Sequence, residues 1–295
     1  MKILMTGGNG FIGSNIVKNW LGRHEFFLVT NESKGQIYQK GLLYEESQKV
    51  KYIHHDLTES FEALKLPSID CVIHLAQGNQ KFPDGALTEF KVNTVSTLEL
   101  LEFARNNKVK KFIYASTAGI YGFGPDKFKE TDLPRSKNFY EGTKIAAESL
   151  IWQYQQFFDC IITRFCFPYG PGVPPQRLFA RLISNVLDNK EIIVKNDGMP
   201  KINPIYVDDL VEAMEKLLNR DGSAIINLGG QKTYTIKQIA QKIGTILGEK
   251  PIFSFEKDKD DSQHLVCSIE LAKKLISFEP KVDLEEGLKR MIYKK

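Results

Sequence analysis

The sequence predicts an α/β fold, a doubly wound parallel sheet with a smaller C-terminal lobe, and three observations carry that expectation. Short apolar or β-branched runs alternate with segments of helical period through the first two thirds of the 295 residues, the pattern of successive βαβ units. Several runs are apolar at nearly every position, as strands covered by helices on both faces require. A glycine cluster follows the first run at once and precedes the first helical segment, which places a tight strand-to-helix turn at the start of the chain.

The runs expected as strands are 2–6, 26–30, 50–54, 71–76, 111–116 and 160–165. The helical segments 11–21, 87–106 and 139–157 are each long enough for a right-handed crossover between parallel strands. Beyond Phe167, the residues Pro168, Gly170, Pro171, Gly172, Pro174 and Pro175 interrupt regular structure and mark a boundary. The expected domains are therefore 1–166, to which 202–228 returns, and 167–295. In the second lobe Asp208 is expected to cap an amphipathic helix through Leu218. A strand over 224–228 and three further helical segments follow.

Composition narrows the class. Hydrophobic residues make up 42% and charged residues 26% of the chain, a globular balance with enough apolar material for a large core. The net charge of +4 comes from 40 basic and 36 acidic residues spread along the sequence, so no single-sign field suited to nucleic acid is expected. Cys71, Cys160, Cys166 and Cys267 show no metal-ligand spacing, and they read as buried thiols of a cytoplasmic protein, with no metal expected. No apolar run reaches the roughly eighteen residues of a membrane span. Ile3-Leu4-Met5 after Met1 and Lys2 is too short for a signal-peptide core.

The first turn reads Thr6-Gly7-Gly8-Asn9-Gly10-Phe11-Ile12-Gly13. Gly8, Gly10 and Gly13 match the G-x-G-x-x-G spacing of a dinucleotide fingerprint. One glycine makes the turn, one lets the backbone approach a pyrophosphate, and one lets helix pack on strand. The helix start then faces the phosphates with N–H groups and a partial positive charge. Where the second strand meets the ribose, Asn31 is a neutral partner, Glu32 an acid and Lys34 a contact for a 2′-phosphate. The acid and the absence of arginine favour NAD, with NADP as the alternative.

Of eleven tyrosines only Tyr140 has a lysine, Lys144, four residues later, one turn along a helix and on the same face. A phenol ionises near pH 10 in isolation, and a neighbouring cation lowers that value by favouring the phenolate. Such a tyrosine takes a proton from a hydroxyl as hydride leaves the same carbon, a contribution of about 10² to 10⁴ in rate. Ser116 and Thr117 end a parallel strand at its carboxyl end, where ligands of such sheets bind, and Thr117 is placed to orient the reacting oxygen.

With these residues in hand, the chain resembles the extended short-chain dehydrogenase/reductases, a Rossmann-like family, and within them the NAD-dependent epimerase/dehydratase enzymes of the UDP-galactose 4-epimerase type. The likeness runs nearly the whole length. It includes Thr6 to Gly13, His55-Asp56-Leu57, His74-Leu75-Ala76, Asn93 and Ser116-Thr117-Ala118-Gly119-Ile120-Tyr121-Gly122. It continues through Tyr140 to Lys144, Tyr169-Gly170-Pro171-Gly172, Tyr206-Val207-Asp208-Asp209 and Asn227-Leu228-Gly229-Gly230. The resemblance implies a catalytic set of Thr117, Tyr140 and Lys144. It implies that Asp56, Leu57, Ala76 and Asn93 help seat the cofactor. With the residues read above, the expected cofactor contacts are Gly7, Gly10, Phe11, Ile12, Gly13, Asn31, Asp56, Leu57, Leu75, Ala76, Asn93, Ser116, Tyr140 and Lys144, and the expected substrate contacts are Gln77, Thr117, Phe167, Arg177 and Arg181. Each motif also has a plainer reading: Asp56 and Asp209 as caps, His74 as a core histidine, Asn93 as a helix-bending amide.

The departures refine the activity. The family's dehydratases carry Asp and Glu after the catalytic threonine, where this chain has Ala118 and Gly119; without those carboxylates the elimination lacks its acid and base. C4 epimerisation of a nucleotide sugar is the leading expectation, an NADP-dependent 4-ketoreductase the first alternative and a non-catalytic dinucleotide sensor the second. Phe167 stands where the family usually has asparagine, Ile202 where it has arginine, and Lys259 near a further arginine. A diphosphate still needs cationic or N–H partners, and Arg177, Arg181, Lys201 and Lys259 are candidates. The segments 87–106 and 139–157 resemble the helices with which family members form homodimers.

Overall fold

The computed structural model describes residues 1–39, 47–62, 64–78, 82–195, 198, 200–256 and 264–293. In chain order its elements begin with β1 (Lys2–Thr6), α1 (Phe11–Trp20), β2 (Glu25–Thr30), α2 (Lys34–Gln39), β3 (Val50–His54) and β4 (Cys71–His74). They continue with α3 (Ala86–Phe90), a π-helical turn (Lys91–Val95), α4 (Ser96–Asn106), β5 (Lys111–Thr117), α5 (Phe139–Gln153) and β6 (Asp159–Phe165). Then come α6 (Leu178–Leu187), β7 (Glu191–Lys195), β8 (Lys201–Ile202), α7 (Val207–Leu218), β9 (Ala224–Leu228) and β10 (Tyr234–Thr235). The last are α8 (Ile236–Leu247), β11 (Ile252–Glu256), α9 (Glu270–Ile276) and α10 (Leu284–Tyr293).

Seven strands form one sheet in the order β3-β2-β1-β4-β5-β6-β9. The pairings of β1 with β2 and β4, of β2 with β3, and of β4 with β5 are all parallel. The order reverses between β1 and β4, so a crevice opens at their carboxyl ends, the place where sheets of this type bind ligands. The expected doubly wound α/β class is therefore the observed one.

Contacts divide the chain into two compact units. The first comprises Met1–Ile120, Ser136–Arg164 and Met214–Ile226. One face of its sheet buries Leu4, Phe27, Val29, Val72 and Phe112 with Leu100, Leu101 and Ala104 of α4 and Ala147 and Ile151 of α5. Ile3, Met5, Phe26 and Leu28 alternate to the opposite face and are equally buried, as period-2 side chains in a fully covered strand must be. Lys111, buried at the start of β5, donates to the carbonyl oxygens of Leu218 (2.8 Å) and Arg220 and so caps the end of α7, whose last carbonyls lack helical partners.

The second unit comprises Tyr121–Arg135, Phe165–Ala213 and Asn227–Lys295. It carries two small sheets, β7 parallel to β11 and β8 antiparallel to β10. Tyr169 is buried, stacked on Phe179 with ring centroids 4.3 Å apart and edge-on to Tyr206. A Cβ at Gly287 of α10 would lie 2.6 Å from the Tyr169 hydroxyl, which accounts for a glycine inside that helix despite its conformational cost.

Several expected boundaries move. The strand expected over 71–76 stops at His74, because Leu75 and Ala76 turn aside to donate to the Thr6 carbonyl and hydroxyl at 3.2 and 3.3 Å. The helix expected over 87–106 is broken by the π-helical turn, and the one over 139–157 ends at Gln153, with a short 3-10 turn (Tyr154–Gln156) after it. Asp208 does not cap α7: it lies in the first turn and pairs with Arg290 at 3.1 Å. Asp209 caps no N-terminus of its own helix either, since its carboxylate accepts the Lys281 and Val282 amides at 2.9 and 3.1 Å.

Candidate active site

The glycine loop is shaped by contacts that exclude side chains. Gly7 has φ +70, and a Cβ there would lie 2.7 Å from the Ala76 nitrogen. A Cβ on Gly13 would run into the Gly7 carbonyl and come within 2.7 Å of the Gly8 Cα. Gly10 donates to the Gly7 carbonyl at 3.0 Å and serves as the N-cap of α1, with no side-chain cap and no acidic residue in the first turn. The helix start, with Phe11 and Ile12, thus presents backbone N–H groups without a competing carboxylate, the requirement for a pyrophosphate.

Asn9 donates to Thr30 and Glu32, both at 3.2 Å, while its own carbonyl oxygen is buried with no partner among the described residues. An orphaned buried acceptor beside a ligand cradle is one that a donating hydroxyl of a bound ribose would satisfy. Glu32 stands just past the end of β2, and a carboxylate at that position would favour a ribose 2′-hydroxyl over a 2′-phosphate. Asn31 and Lys34 are exposed beyond it. The Asp56 carboxylate accepts the Thr58 amide and hydroxyl, both at 2.8 Å, and these hydrogen bonds hold it below the ordinary carboxylate range. It closes a local turn, next to Leu57, which packs on the core. The residues of this cradle fit NAD.

His74 is a core histidine. Its ring nitrogens meet the hydroxyls of Thr6 (2.6 Å) and Thr97 (3.1 Å), and burial, reinforced by the charge of Lys144, pushes its pKa down to about 3.

α5 begins at the Asn138 N-cap, whose side chain accepts the Glu141 amide at 2.9 Å, an arrangement typical of helix starts. This start puts Tyr140 in the first turn, half-buried, and Lys144 one turn further in, fully buried. The Lys144 ammonium donates to the Ala115 carbonyl at 2.9 Å and lies 4.6 Å from the Tyr114 ring centroid and 5.8 Å from that of Tyr140. Burial lowers its pKa to about 7, against an opposing pull from Glu148. The structure therefore brings Tyr140 and Lys144 to the carboxyl end of β5, where Ser116 and Thr117 stand. The Thr117 hydroxyl accepts the Gly119 amide at 3.1 Å.

Ser116 points inward, donating to the Glu148 carboxylate, which also takes the Arg164 guanidinium at 2.7 Å in a buried ion pair. The Tyr140 hydroxyl donates to the Gln77 side-chain carbonyl at 2.7 Å. Asn93, fully buried in the π-helical turn, accepts the Gly78 amide at 2.7 Å and donates to the Thr143 hydroxyl at 3.0 Å. Turns of this kind occur often at functional sites, where they re-aim a side chain.

Glu148, Arg164, Thr143 and Glu141 were not among the expected site residues. Glu148 continues the four-residue spacing of Tyr140 and Lys144, and Arg164 is a charge inside an otherwise apolar strand run, so both left a signal. Glu141 folds back so that one carboxylate oxygen accepts the Lys137 amide at 2.7 Å, while the other would lie 2.7 Å from a Cβ on Gly119. Any larger side chain at position 119 would have to displace it.

In the second unit Phe167 takes a left-handed conformation, φ +46, which asparagine tolerates better than other non-glycine residues. Phe167 therefore carries a backbone conformation that is costly for its residue type. Ile202 is buried in β8 opposite Tyr234, and Lys201 flanks it. Arg177 is the N-cap residue of α6 and Arg181 lies on its first turns, both exposed. Lys259 lies outside the described residues.

A doubly wound sheet with a glycine cradle at its switch point and a tyrosine–lysine pair at the next strand end defines a dinucleotide-dependent enzyme. Residues 3–229 match the NAD dependent epimerase/dehydratase family, and the chain belongs to it. It is 32% identical to a UDP-glucuronate 4-epimerase of Thermodesulfobacterium geofontis, over 98% of this chain and 94% of that one. It is 28% identical to the mouse dTDP-D-glucose 4,6-dehydratase, over 99% and 87%. Among solved structures it is similar to UDP-glucuronic acid 4-epimerase from Bacillus cereus in complex with NAD, with TM-score 0.88 and 26% identity over 99% and 95% of the two chains. It is also similar to the Thermotoga maritima UDP-glucose 4-epimerase with UDP-glucose, with TM-score 0.85 and 26% identity over 99% and 98%. Among the described residues no helix is long and apolar enough to cross a membrane.

Proposed function

We propose that this chain is an NAD-dependent nucleotide-sugar C4 epimerase acting on a UDP-linked hexose or hexuronate. The observation that carries the reading is the buried Lys144, tied to the end of β5 with Tyr140 one turn before it on the same helix. The 4-epimerases among its relatives support the same activity and suggest the substrate class.

Tyr140 removes the proton of the C4 hydroxyl and later returns it. Thr117 orients that oxygen, and Lys144 favours the phenolate through its charge. Gly7 to Gly13 would hold NAD, with Glu32 available to its ribose, and the bound cofactor would supply a hydride acceptor and donor. Ala118 and Gly119 leave the site without the two carboxylates of an elimination, and the Glu141 carboxylate is engaged by the Lys137 amide, which speaks against a 4,6-dehydratase. Phe167, Arg177 and Arg181 are assigned to the nucleotide diphosphate and sugar.

The active form is proposed to be a homodimer. Leu87, 68% exposed, forms an apolar stripe with Phe90, Val95 and Leu98 along α3, the π-helical turn and α4, a patch that a soluble monomer rarely leaves open. The four buried, unpaired cysteines suit the reducing cytoplasm.

The direct test incubates purified protein with UDP-, dTDP-, CDP- and GDP-sugars, UDP-glucuronic acid included, with and without NADPH. The reading requires C4 inversion of a UDP-sugar without added reductant. Stoichiometric NADPH consumption, or a 4-keto-6-deoxy product, would replace it with a reductase or a dehydratase.

A further inference from the structure

We propose that Gln77 is a positioning residue for proton transfer, whose side-chain carbonyl holds the Tyr140 hydroxyl as a proton-bearing phenol and opposes the pull of Lys144 toward the phenolate. The proposal rests on Tyr140 being the acid–base group.

The observation behind it is a closed circuit. The Tyr140 hydroxyl donates to Gln77 at 2.7 Å, and the next residue, Gly78, donates its amide to Asn93 at 2.7 Å. Asn93 donates to the Thr143 hydroxyl at 3.0 Å, and that hydroxyl donates to the Tyr140 carbonyl at 2.7 Å. Thr94, next to Asn93 in the π-helical turn, donates to the Thr143 carbonyl at 3.1 Å. The strand-end segment carrying Gln77 and the helix turn carrying Tyr140 are thus bound to each other at both ends. The amide is delivered to the phenol by its backbone rather than by chance rotation of a long side chain. A Cβ at Gly78 would lie 3.0 Å from the Glu89 Cα, so the segment has little room to shift.

A hydrogen bond to the neutral form of an acid disfavours its ionisation. Gln77 accepts from the phenol and therefore stabilises the protonated state, the one required when the proton is given back to the sugar oxygen. Lys144 stabilises the other. A reversible epimerase uses both states in each turnover, and the two residues balance them. The other charged and titratable groups around the phenol, among the described residues, are Glu141 on α5, Tyr114 on β5, the Glu148–Arg164 pair behind Ser116, and Glu89 on α3 beside Gly78. The first four remain in place in any Gln77 variant, and Glu89 borders only the neighbouring glycine.

The test measures the midpoint of phenolate absorbance, as the difference between each protein and its Tyr140→Phe counterpart, together with the acid limb of the kcat profile. Gln77→Ala is expected to lower both by about half to one pH unit, the worth of one hydrogen bond. Gln77→Glu is expected to raise both by about one unit or more through its charge, with KM for the UDP-sugar within about twofold in each variant. An unmoved midpoint with a raised KM would make Gln77 a sugar contact and overturn the proposal. A midpoint raised in Gln77→Ala would also overturn it, because the amide would then serve the phenolate through its N–H. If Tyr140→Phe keeps full turnover, the acid–base assignment of Tyr140 fails, and the absorbance shift still reports separately on the Gln77 contact.

Discussion

The Lys144 ammonium donates to the carbonyl oxygen of Ala115 at 2.9 Å, and this one bond sets the catalytic helix against the end of the central strand. Burial pulls the pKa of this lysine down to about 7, and the nearby Glu148 carboxylate opposes that pull.

Lys144→Met is expected to reduce kcat by about 10² to 10³, the usual loss on removing a preorganised charge at a reacting group. The stability change should have the opposite character. With its folded pKa near 7 and the unfolded value near 10.5, the native state alone bears the cost of the buried charge below pH 7. That cost fades as pH rises from about 7 to 10.5. Urea unfolding should therefore show wild type gaining on Lys144→Met across that window. Parallel curves would contradict the burial argument.

The Glu148–Arg164 pair holds Ser116 inside the first unit. Removing either partner strands a buried charge, so Glu148→Met and Arg164→Met should each lose about 3 to 5 kcal/mol of unfolding free energy. The double variant Glu148→Met with Arg164→Met should lose less than the sum of the single losses. Additive losses in a double-mutant cycle would mean that the two side chains act separately.

His74 makes stability depend on acid. Its folded pKa of about 3 lies below the unfolded 6.5, so the unfolded chain takes up a proton first, and stability should fall as pH drops from about 6.5 to about 3. His74→Asn should flatten that slope in denaturant titrations. An unchanged slope would assign the acid sensitivity to other groups.

Phe167, with φ +46, pays for a left-handed backbone. Phe167→Asn should be more stable than Phe167→Ala by about 1 kcal/mol, the difference in tolerance of that conformation. Equal stabilities in thermal unfolding would show that the strain is relieved elsewhere.

The sheet was legible because each central strand is covered on both faces and therefore apolar throughout, and because its glycine turn and the Tyr140–Lys144 spacing are local signals. The break in the helix over 87–106 was not legible, since the apolar positions Leu87, Phe90, Val95 and Leu98 continue across a turn whose only mark is a single five-residue step. The small pairings of β7 with β11 and β8 with β10 join segments far apart in the chain, and no local pattern announces them. The same holds at the site. Gln77 was expected to touch substrate, yet its contact with Tyr140 depends on the path of the chain after His74. Ser116 was expected toward the cofactor, yet its hydroxyl turns to Glu148.

The central claim is that hydrogen leaves C4 of the sugar and returns to the same carbon from the other side, with Tyr140 handling the hydroxyl proton. A UDP-hexose or UDP-hexuronate carrying deuterium at C4, converted by the holoenzyme and analysed by NMR, tests it most directly. The account predicts an inverted product that keeps its deuterium at C4. An inverted product in which that position has exchanged with water would contradict it.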